Sequence, residues 1–104
     1  MKISIQAKDM DITKAIRQFA IEKVGKVIKK FGKKVIGVRV YLEHIARKKN
    51  DPRASKAKVK IEIPGEDVIV EGQSNDAYQA ISKAVNAASR SLRKIKGKEL
   101  AKRR

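Results

Sequence analysis

Two stretches of this sequence repeat their apolar residues every three or four positions, and they limit the fold more than any other feature. The stretches cover residues 13–31 and 75–96. This spacing predicts two amphipathic α-helices, each of which must bury one side against another part of the protein. Thr13 is a suitable N-cap for the first helix, and Gly32 is a suitable terminator. Gly25 lies inside this helix, and close packing against a neighbour is one explanation for it.

The second helix has candidate caps at both ends. Ser74, Asn75 and Asp76 are residue types that cap helices, and Gly97 is expected to end the helix. The residues after Gly97 are basic and contain too few apolar side chains to pack. We therefore expect a domain of residues 1–97 followed by a basic C-terminal tail of residues 98–104.

The segments outside the helices alternate apolar and polar residues, which is typical of strands with one buried face. Strands are expected at residues 2–7, 35–45, 57–63 and 68–71. Ile36 is expected on the buried face of the second strand, together with Val38, Val40 and Leu42. Residues 46–55 contain an Asn-Asp-Pro sequence and predict an exposed loop, and residues 64–67 predict the turn of a hairpin.

The element order is therefore β-α-β-β-β-α, which predicts an α+β fold. We expect a two-layer sandwich in which a four-stranded sheet has two helices packed on one face. The other face of the sheet is expected to contact water, as antiparallel sheets permit. It carries Arg39, Tyr41, Lys58, Lys60 and Glu62.

The charge of the chain is large and unevenly distributed. The 27 basic and 11 acidic residues give a net charge of +16. Residues 14–34, 46–60 and 90–104 carry +7, +6 and +7, whereas the remaining residues carry −4. The 41% of hydrophobic residues is enough for a folded core, which distinguishes the chain from a basic disordered tail.

The basic side chains lie mainly opposite the apolar side of each helix, so both outer helix faces are predicted to be cationic. A polyanion neutralises such a surface and releases counterions, which favours a nucleic acid. Few aromatic residues are available for base stacking, so readout by stacking is expected to be weak. A helix pair that presents Arg and Lys to backbone phosphates fits structured RNA read by its shape, and we prefer folded RNA over DNA. An anionic membrane is disfavoured, because the core needs the apolar helix faces. The candidate RNA-binding residues are Lys23, Lys26, Lys30, Lys83, Arg90, Arg93 and Lys94.

The sequence shows no catalytic motif. It has no cysteine, and its one histidine, His44, is expected at the rim of the sheet. The pairs Asp9 with Asp11 and Glu66 with Asp67 are expected to act as loop and cap residues. We therefore expect no enzyme activity, no cofactor, no metal site and no small-molecule substrate. The absence of cysteine, of a long apolar segment and of a signal sequence favours the cytoplasm.

Three segments resemble one known family. They are residues 10–17 (MDITKAIR), 71–81 (EGQSNDAYQAI) and 90–94 (RSLRK). Their order and spacing, over about residues 1–98, resemble the ribosome hibernation promoting factor and ribosome-associated inhibitor family. The resemblance implies an RNA-binding protein of stationary phase or stress that binds ribosomal RNA of the small ribosomal subunit. It would occupy the channel for messenger RNA and transfer RNA and stop translation.

The resemblance also indicates individual residues. The family's RNA-facing basic residues correspond to Lys23, Lys26, Arg90 and Lys94. Its aspartate and tyrosine correspond to Asp76, which we expect at the start of the second helix, and Tyr78, which we expect to pack. The chain departs from many members at Ala87, where they have lysine, and the loop at residues 46–55 is unusually basic.

The length and the basic end of the chain favour a short form of the hibernation-promoting type. We expect a monomer off the ribosome that does not join two ribosomes by itself. Two alternatives remain open. One is a sequence-indifferent protein that compacts DNA, and the other is a constitutive structural component of a ribonucleoprotein.

Overall fold

The computed structural model describes residues 2–45 and 54–102, and its elements follow the predicted order. The strands are β1 (Lys2–Lys8), β2 (Gly37–His44), β3 (Ser55–Ile63) and β4 (Glu66–Ser74). The helices are α1 (Lys14–Phe31) and α2 (Ala77–Lys102). The predicted α+β class, with a four-stranded sheet and two helices, is confirmed.

The strands lie in the sheet in the order of the sequence, β1-β2-β3-β4. The first pair, β1 and β2, is parallel, because α1 carries the chain back along the sheet between them. The other two pairs are antiparallel. Ile5 aligns with Val40, Val40 with Val59, and Val59 with Val70, so one row of apolar side chains crosses all four strands.

Three of the predicted helix caps, at Thr13, Gly32 and Asp76, are confirmed by hydrogen bonds. The Thr13 hydroxyl accepts from the Ile16 amide at 3.1 Å. Gly32 has a φ of 68°, and its amide donates to the Ile28 carbonyl at 3.2 Å. Asp76 caps α2, because its Oδ1 accepts from the amide of Gln79 at 2.9 Å. Each cap satisfies backbone groups that the helix itself leaves without a partner.

The core lies between the sheet and the two helices. From the strands it takes apolar residues of one face, and from each helix it takes the predicted apolar stripe. Its largest fully buried side chains are Leu42, Ile61, Ile81, Leu92, Val24, Val38, Val40 and Val59. Most of α2's sheet-facing residues are small: Ala77, Ala80, Ala84 and Ala88. Helix α2 can therefore lie close to the strands.

Helix α2 packs tightly against the sheet at Gly72 in β4. A Cβ atom at this position would lie 2.6 Å from both the Ala80 carbonyl oxygen and the Ala84 amide nitrogen. Both atoms belong to the helix backbone, which cannot move aside as a flexible side chain could. Gly72 therefore sets how near α2 lies to β4.

Two sequence predictions about glycines are wrong. Helix α2 does not end at Gly97 but continues to Lys102. A single glycine costs a helix only about 1 kcal/mol relative to alanine, and the residues after it include good helix formers. A Cβ atom at Gly25 would meet no neighbouring atom within 4 Å, so close packing does not explain this glycine. The division between residues 1–97 and a tail of residues 98–104 stays a prediction.

Every strand boundary differs from the prediction by up to three residues except the start of β1 and the end of β3, and three of the differences change a prediction. Ile36 lies outside β2 and is 55% exposed, because the inward alternation begins only at Val38. Ala54 and Ser55 are buried, since β3 already begins at Ser55, and the rest of the predicted loop lies outside the described residues. The hairpin turn between β3 and β4 contains only Pro64 and Gly65, with Ile63 paired to Glu66. A two-residue turn suffices because Gly65 adopts a φ of 88°.

Candidate nucleic-acid interface

The fold separates the charges of the two layers. Up to residue 98, helices α1 and α2 carry twelve basic side chains and one acidic side chain, Glu22. The four strands carry six basic and five acidic side chains. The helix side is therefore strongly cationic, whereas the sheet is nearly balanced.

Ion pairs partly neutralise the exposed face of the sheet. Arg39 pairs with Glu62 at 3.5 Å, and Lys56 pairs with Glu71 at 3.4 Å. Lys60 pairs with Asp67 at 3.8 Å. Such exposed pairs add little stability, but they reduce the charge that this face can offer to a polyanion. The helix side is the better candidate for the interface.

The two helices lie side by side and run in the same direction. Phe19 in the first half of α1 contacts Tyr78 in the first turn of α2. Phe31 at the end of α1 lines one groove with Leu92 in the second half of α2. Lys29 and Lys30 lie in the last turn of α1, where positive charge interacts favourably with the helix dipole.

Aromatic side chains fill the space between the helices at their N-terminal end. The rings of Phe19 and Tyr78 are 5.1 Å apart at 76°, an edge-to-face arrangement. The Nζ atom of Lys23 lies 5.5 Å from the centre of the Phe19 ring. Tyr78 therefore packs as expected, although it stays 40% exposed, and Phe19 is only half-buried. This cation-π contact restricts the position of the Lys23 ammonium group.

The space between the helices opens into a groove near their C-terminal ends. The groove has a volume of about 160 Å³. We call it the interhelical groove; it is lined by Val27, Lys30, Phe31, Ser89, Leu92, Arg93 and Lys96. Its floor is apolar, and the three basic residues border it. Lys30 of α1 and Arg93 of α2 are thus brought to one place.

A second group of cations lies on the other flank of α2. Lys83, Arg90 and Lys94 are separated by seven and four residues, so they share one side of the helix. Lys83 Nζ donates to the Gln73 carbonyl oxygen at 3.2 Å, which shows that this flank lies beside β4. Lys83 therefore has a structural contact as well as its predicted role.

All seven predicted RNA-binding residues are exposed, but they form two groups. The first group borders the contact between the helices and contains Lys23, Lys30 and Arg93, and Lys26 lies along α1 between the first two. The second contains Lys83, Arg90 and Lys94. Their contact with RNA stays a prediction. The basic residues at 46–53 lie outside the described residues.

Sequence reasoning missed the interhelical groove. Lys96 belongs to the predicted cationic face of α2 but not to the predicted RNA-binding residues, and the sequence indicates no role for Ser89. The edge-to-face pair of Phe19 and Tyr78 was also missed. No local signal could have found these features, because each depends on how α1 lies against α2. A small residue such as Ser89 leaves a groove only because α1 lies beside it.

Within residues 2–45 and 54–102, no three His, Cys, Asp or Glu side chains come together as metal ligands would. No helix in this part of the chain is both long enough and apolar enough to span a membrane.

Comparisons with known proteins point to one family. A family model described as Sigma 54 modulation protein / S30EA ribosomal protein matches residues 3–99. A ribosome hibernation promoting factor from Pseudomonas putida is 26% identical over 99 residues, which cover 95% of this chain and 90% of that protein. A ribosome hibernation promotion factor from Deinococcus radiodurans is 25% identical over 95% of this chain and 51% of its own length.

Two solved structures share the fold. The N-terminal domain of Protein Y from Thermus thermophilus has a TM-score of 0.77 and 23% identity, over 91% of this chain and 99% of that domain. A ribosomal subunit interface protein from Coxiella burnetii has a TM-score of 0.76 and 16% identity, over 93% of this chain and 99% of its own. At these identities the similarity establishes the architecture of the chain.

Proposed function

The chain belongs to the Sigma 54 modulation protein / S30EA ribosomal protein family, and we propose that it silences translation by binding the small ribosomal subunit. The binding surface is the cationic side formed by α1 and α2. The protein occupies the channel through which messenger RNA and transfer RNA pass, in stationary phase or under stress. It acts as a ribosome-binding regulator in the cytoplasm and not as an enzyme.

The observation that carries this proposal is the unequal charge of the two layers. Twelve of the thirteen charged side chains on the helices up to residue 98 are basic. Like charges three or four residues apart destabilise a helix by a few tenths of a kcal/mol per pair. A ligand with closely spaced phosphates offsets that cost and releases its counterions on binding. Ribosomal RNA is such a ligand.

The proposed mechanism is steric and electrostatic. The two helices are packed on the sheet through the core, so their cations form a surface that needs little rearrangement on binding. A rigid domain held in the channel by phosphate contacts excludes the RNAs that translation requires. No covalent step is needed, and removal of the protein restores the ribosome.

Charge reversal on the two sides of the molecule tests the proposal. The test variant carries Arg90→Glu and Lys94→Glu on α2, and the control carries Lys2→Glu and Lys58→Glu on the exposed face of the sheet. All four side chains are exposed, and both variants change the net charge equally. Binding to purified small subunits is measured by co-sedimentation, and inhibition is measured in a cell-free translation reaction.

We expect the α2 variant to bind more than about tenfold more weakly, because a hydrogen bond to a charged group contributes roughly 1.5–3 kcal/mol. The sheet variant should bind and inhibit almost as the unaltered protein does. Equal losses in both variants would contradict the assignment of the interface to the helix side. Failure of the unaltered protein to co-sediment at low salt would contradict the proposed function itself.

A further inference from the structure

We propose that the interhelical groove takes one unstacked base of the bound RNA, while phosphates next to that base lie on Lys30, Arg93 and Lys96. This inference rests on the proposed function and names the ligand group that one part of the helix surface recognises. The helix surface would then recognise a base in addition to phosphates.

The shape of the groove results from the residues that face each other across the two helices. At the N-terminal end, Phe19 and Tyr78 fill the space with two rings in contact. At the C-terminal end, α2 presents Ser89 towards Val27, and a serine is too small to close the gap. The helices therefore leave an open slot of about 160 Å³ at this end, where no aromatic pair joins them.

The lining of the groove combines the two chemical properties of a nucleotide. The half-buried Val27, with the almost fully buried Phe31 and Leu92 beneath, provides an apolar floor for one face of a base. The Ser89 hydroxyl can donate a hydrogen bond to the edge of the base or accept one from it. Lys30, Arg93 and Lys96 border the opening, where the phosphates of the same strand would lie. Single-stranded RNA is commonly bound through unstacked bases and backbone phosphates together.

The charge of the border favours RNA over an apolar protein side chain as the occupant. The residues that line the groove, all from the described part of the chain, include three cations and no carboxylate. An apolar side chain would cover these cations and partly desolvate them without offering an anion in return, which is unfavourable. A nucleotide fills the apolar slot and brings phosphates to the cations.

The first experiment separates the base from the phosphate. The methyl resonances of Val27 and Leu92 are followed by NMR while the protein is titrated with each of the four nucleoside 5′-monophosphates. Ribose 5-phosphate, which lacks a base, is the matched control ligand. We expect at least one nucleotide to shift these methyl resonances, whereas ribose 5-phosphate should leave them unchanged. Identical methyl shifts with ribose 5-phosphate, or no shift with any nucleotide, would overturn the proposal.

The second experiment fills the groove without removing a charge. Ser89→Leu places an apolar side chain in the slot, and Ser82→Leu is the control. Ser82 is also half-buried and lies two turns earlier on the same side of α2, outside the groove lining. We expect Ser89→Leu to weaken binding to small subunits by about fivefold or more, at the low end of what a stacked base contributes. The control should change binding by less than about twofold.

The outcomes distinguish this inference from the proposed function. If the unaltered protein binds small subunits and Ser89→Leu binds equally well, the base site is wrong while the proposed function stands. If Ser89→Leu weakens binding but no nucleotide shifts the methyl resonances, the groove does not take a base and the proposal is overturned. If the unaltered protein does not bind small subunits, the proposed function fails, whereas the nucleotide titration still reports directly on the groove. Circular dichroism of both leucine variants establishes that they fold.

Discussion

The contact between α2 and β4 depends on a few very small residues. Gly72 meets the backbone of α2 at Ala80 and Ala84, and any side chain at position 72 would overlap it. Lys83 strengthens the same contact from the surface, because its ammonium group donates to the Gln73 carbonyl. The position of α2, and with it the position of half of the cationic surface, is therefore set by a glycine and its immediate neighbours.

Substituting Gly72 tests this dependence. We expect Gly72→Ala to lower the free energy of unfolding by roughly 1–3 kcal/mol or more, because an added methyl group forces packed backbone apart. Gly37→Ala is the matched control in β2, since its Cβ would meet its nearest neighbour at an ordinary 3.6 Å. Urea denaturation of both variants is the measurement. Equal stabilities of the two variants would contradict the close approach of α2 to β4.

At the scale of the elements, the helices differ in how they end. Helix α1 ends at Gly32, which adopts the left-handed conformation and lets the chain turn towards β2. Helix α2 continues through Gly97, whose φ is not positive and around which there is open space. Glycine therefore ends α1 but only weakens α2 locally. The difference arises because the residues after Gly32 lead into a strand, whereas those after Gly97 continue the helix.

Alanine substitutions at the two glycines should have opposite effects. Gly97→Ala should stabilise the protein by about 0.4–1 kcal/mol and increase its helical content, because alanine restricts the unfolded chain and favours the helix. Gly32→Ala should destabilise it by about 1 kcal/mol, because alanine is strained at a positive φ. Thermal unfolding followed by circular dichroism measures both. A Gly97→Ala variant with unchanged helicity would contradict the continuation of α2 to Lys102.

At the scale of the whole molecule, the most important property is the difference in charge between the two layers. The helices form one cationic side, and the sheet presents the opposite side with ion pairs between neighbouring strands. Because the sheet and the helices are parts of one core, the molecule can offer the cationic side to a polyanion while the balanced side faces away. In this respect the protein differs from one whose positive charge is spread evenly over its surface.

The salt dependence of binding measures how many phosphates the cationic side contacts. If all seven predicted residues lie on phosphates, a plot of log affinity against log salt should have a slope of about −5 to −6. Reversing the charges of Arg90 and Lys94 should remove about two phosphate contacts and make the slope correspondingly shallower. Reversing the charges of Lys2 and Lys58 should leave the slope unchanged. Competition with duplex DNA in the same assay addresses the alternative. Equal affinity for DNA would favour a compacting protein over a ribosome-binding one.

Much of the fold and the outline of the site could be predicted from local signals. The caps at Thr13, Gly32 and Asp76 act within one helical turn, so residue type and spacing were sufficient to find them. The boundary at Ile36 and the continuation through Gly97 were missed, because an apolar residue or a glycine favours a structure only weakly by itself. Helical spacing also sufficed to put the seven predicted cations on exposed faces.

By itself, the sequence determined the elements, their order and most of their buried faces, because these follow from residue type at short spacing. The family was indicated by the resemblance of three segments to known sequences, and the family model confirms it. Only the tertiary structure decided how α1 lies against α2, and this packing divides the cations into two groups and opens the groove beside Ser89. The physical reason is that side chains distant in the sequence, such as Phe19 and Tyr78, meet only after both helices pack on the sheet. No local spacing encodes that contact.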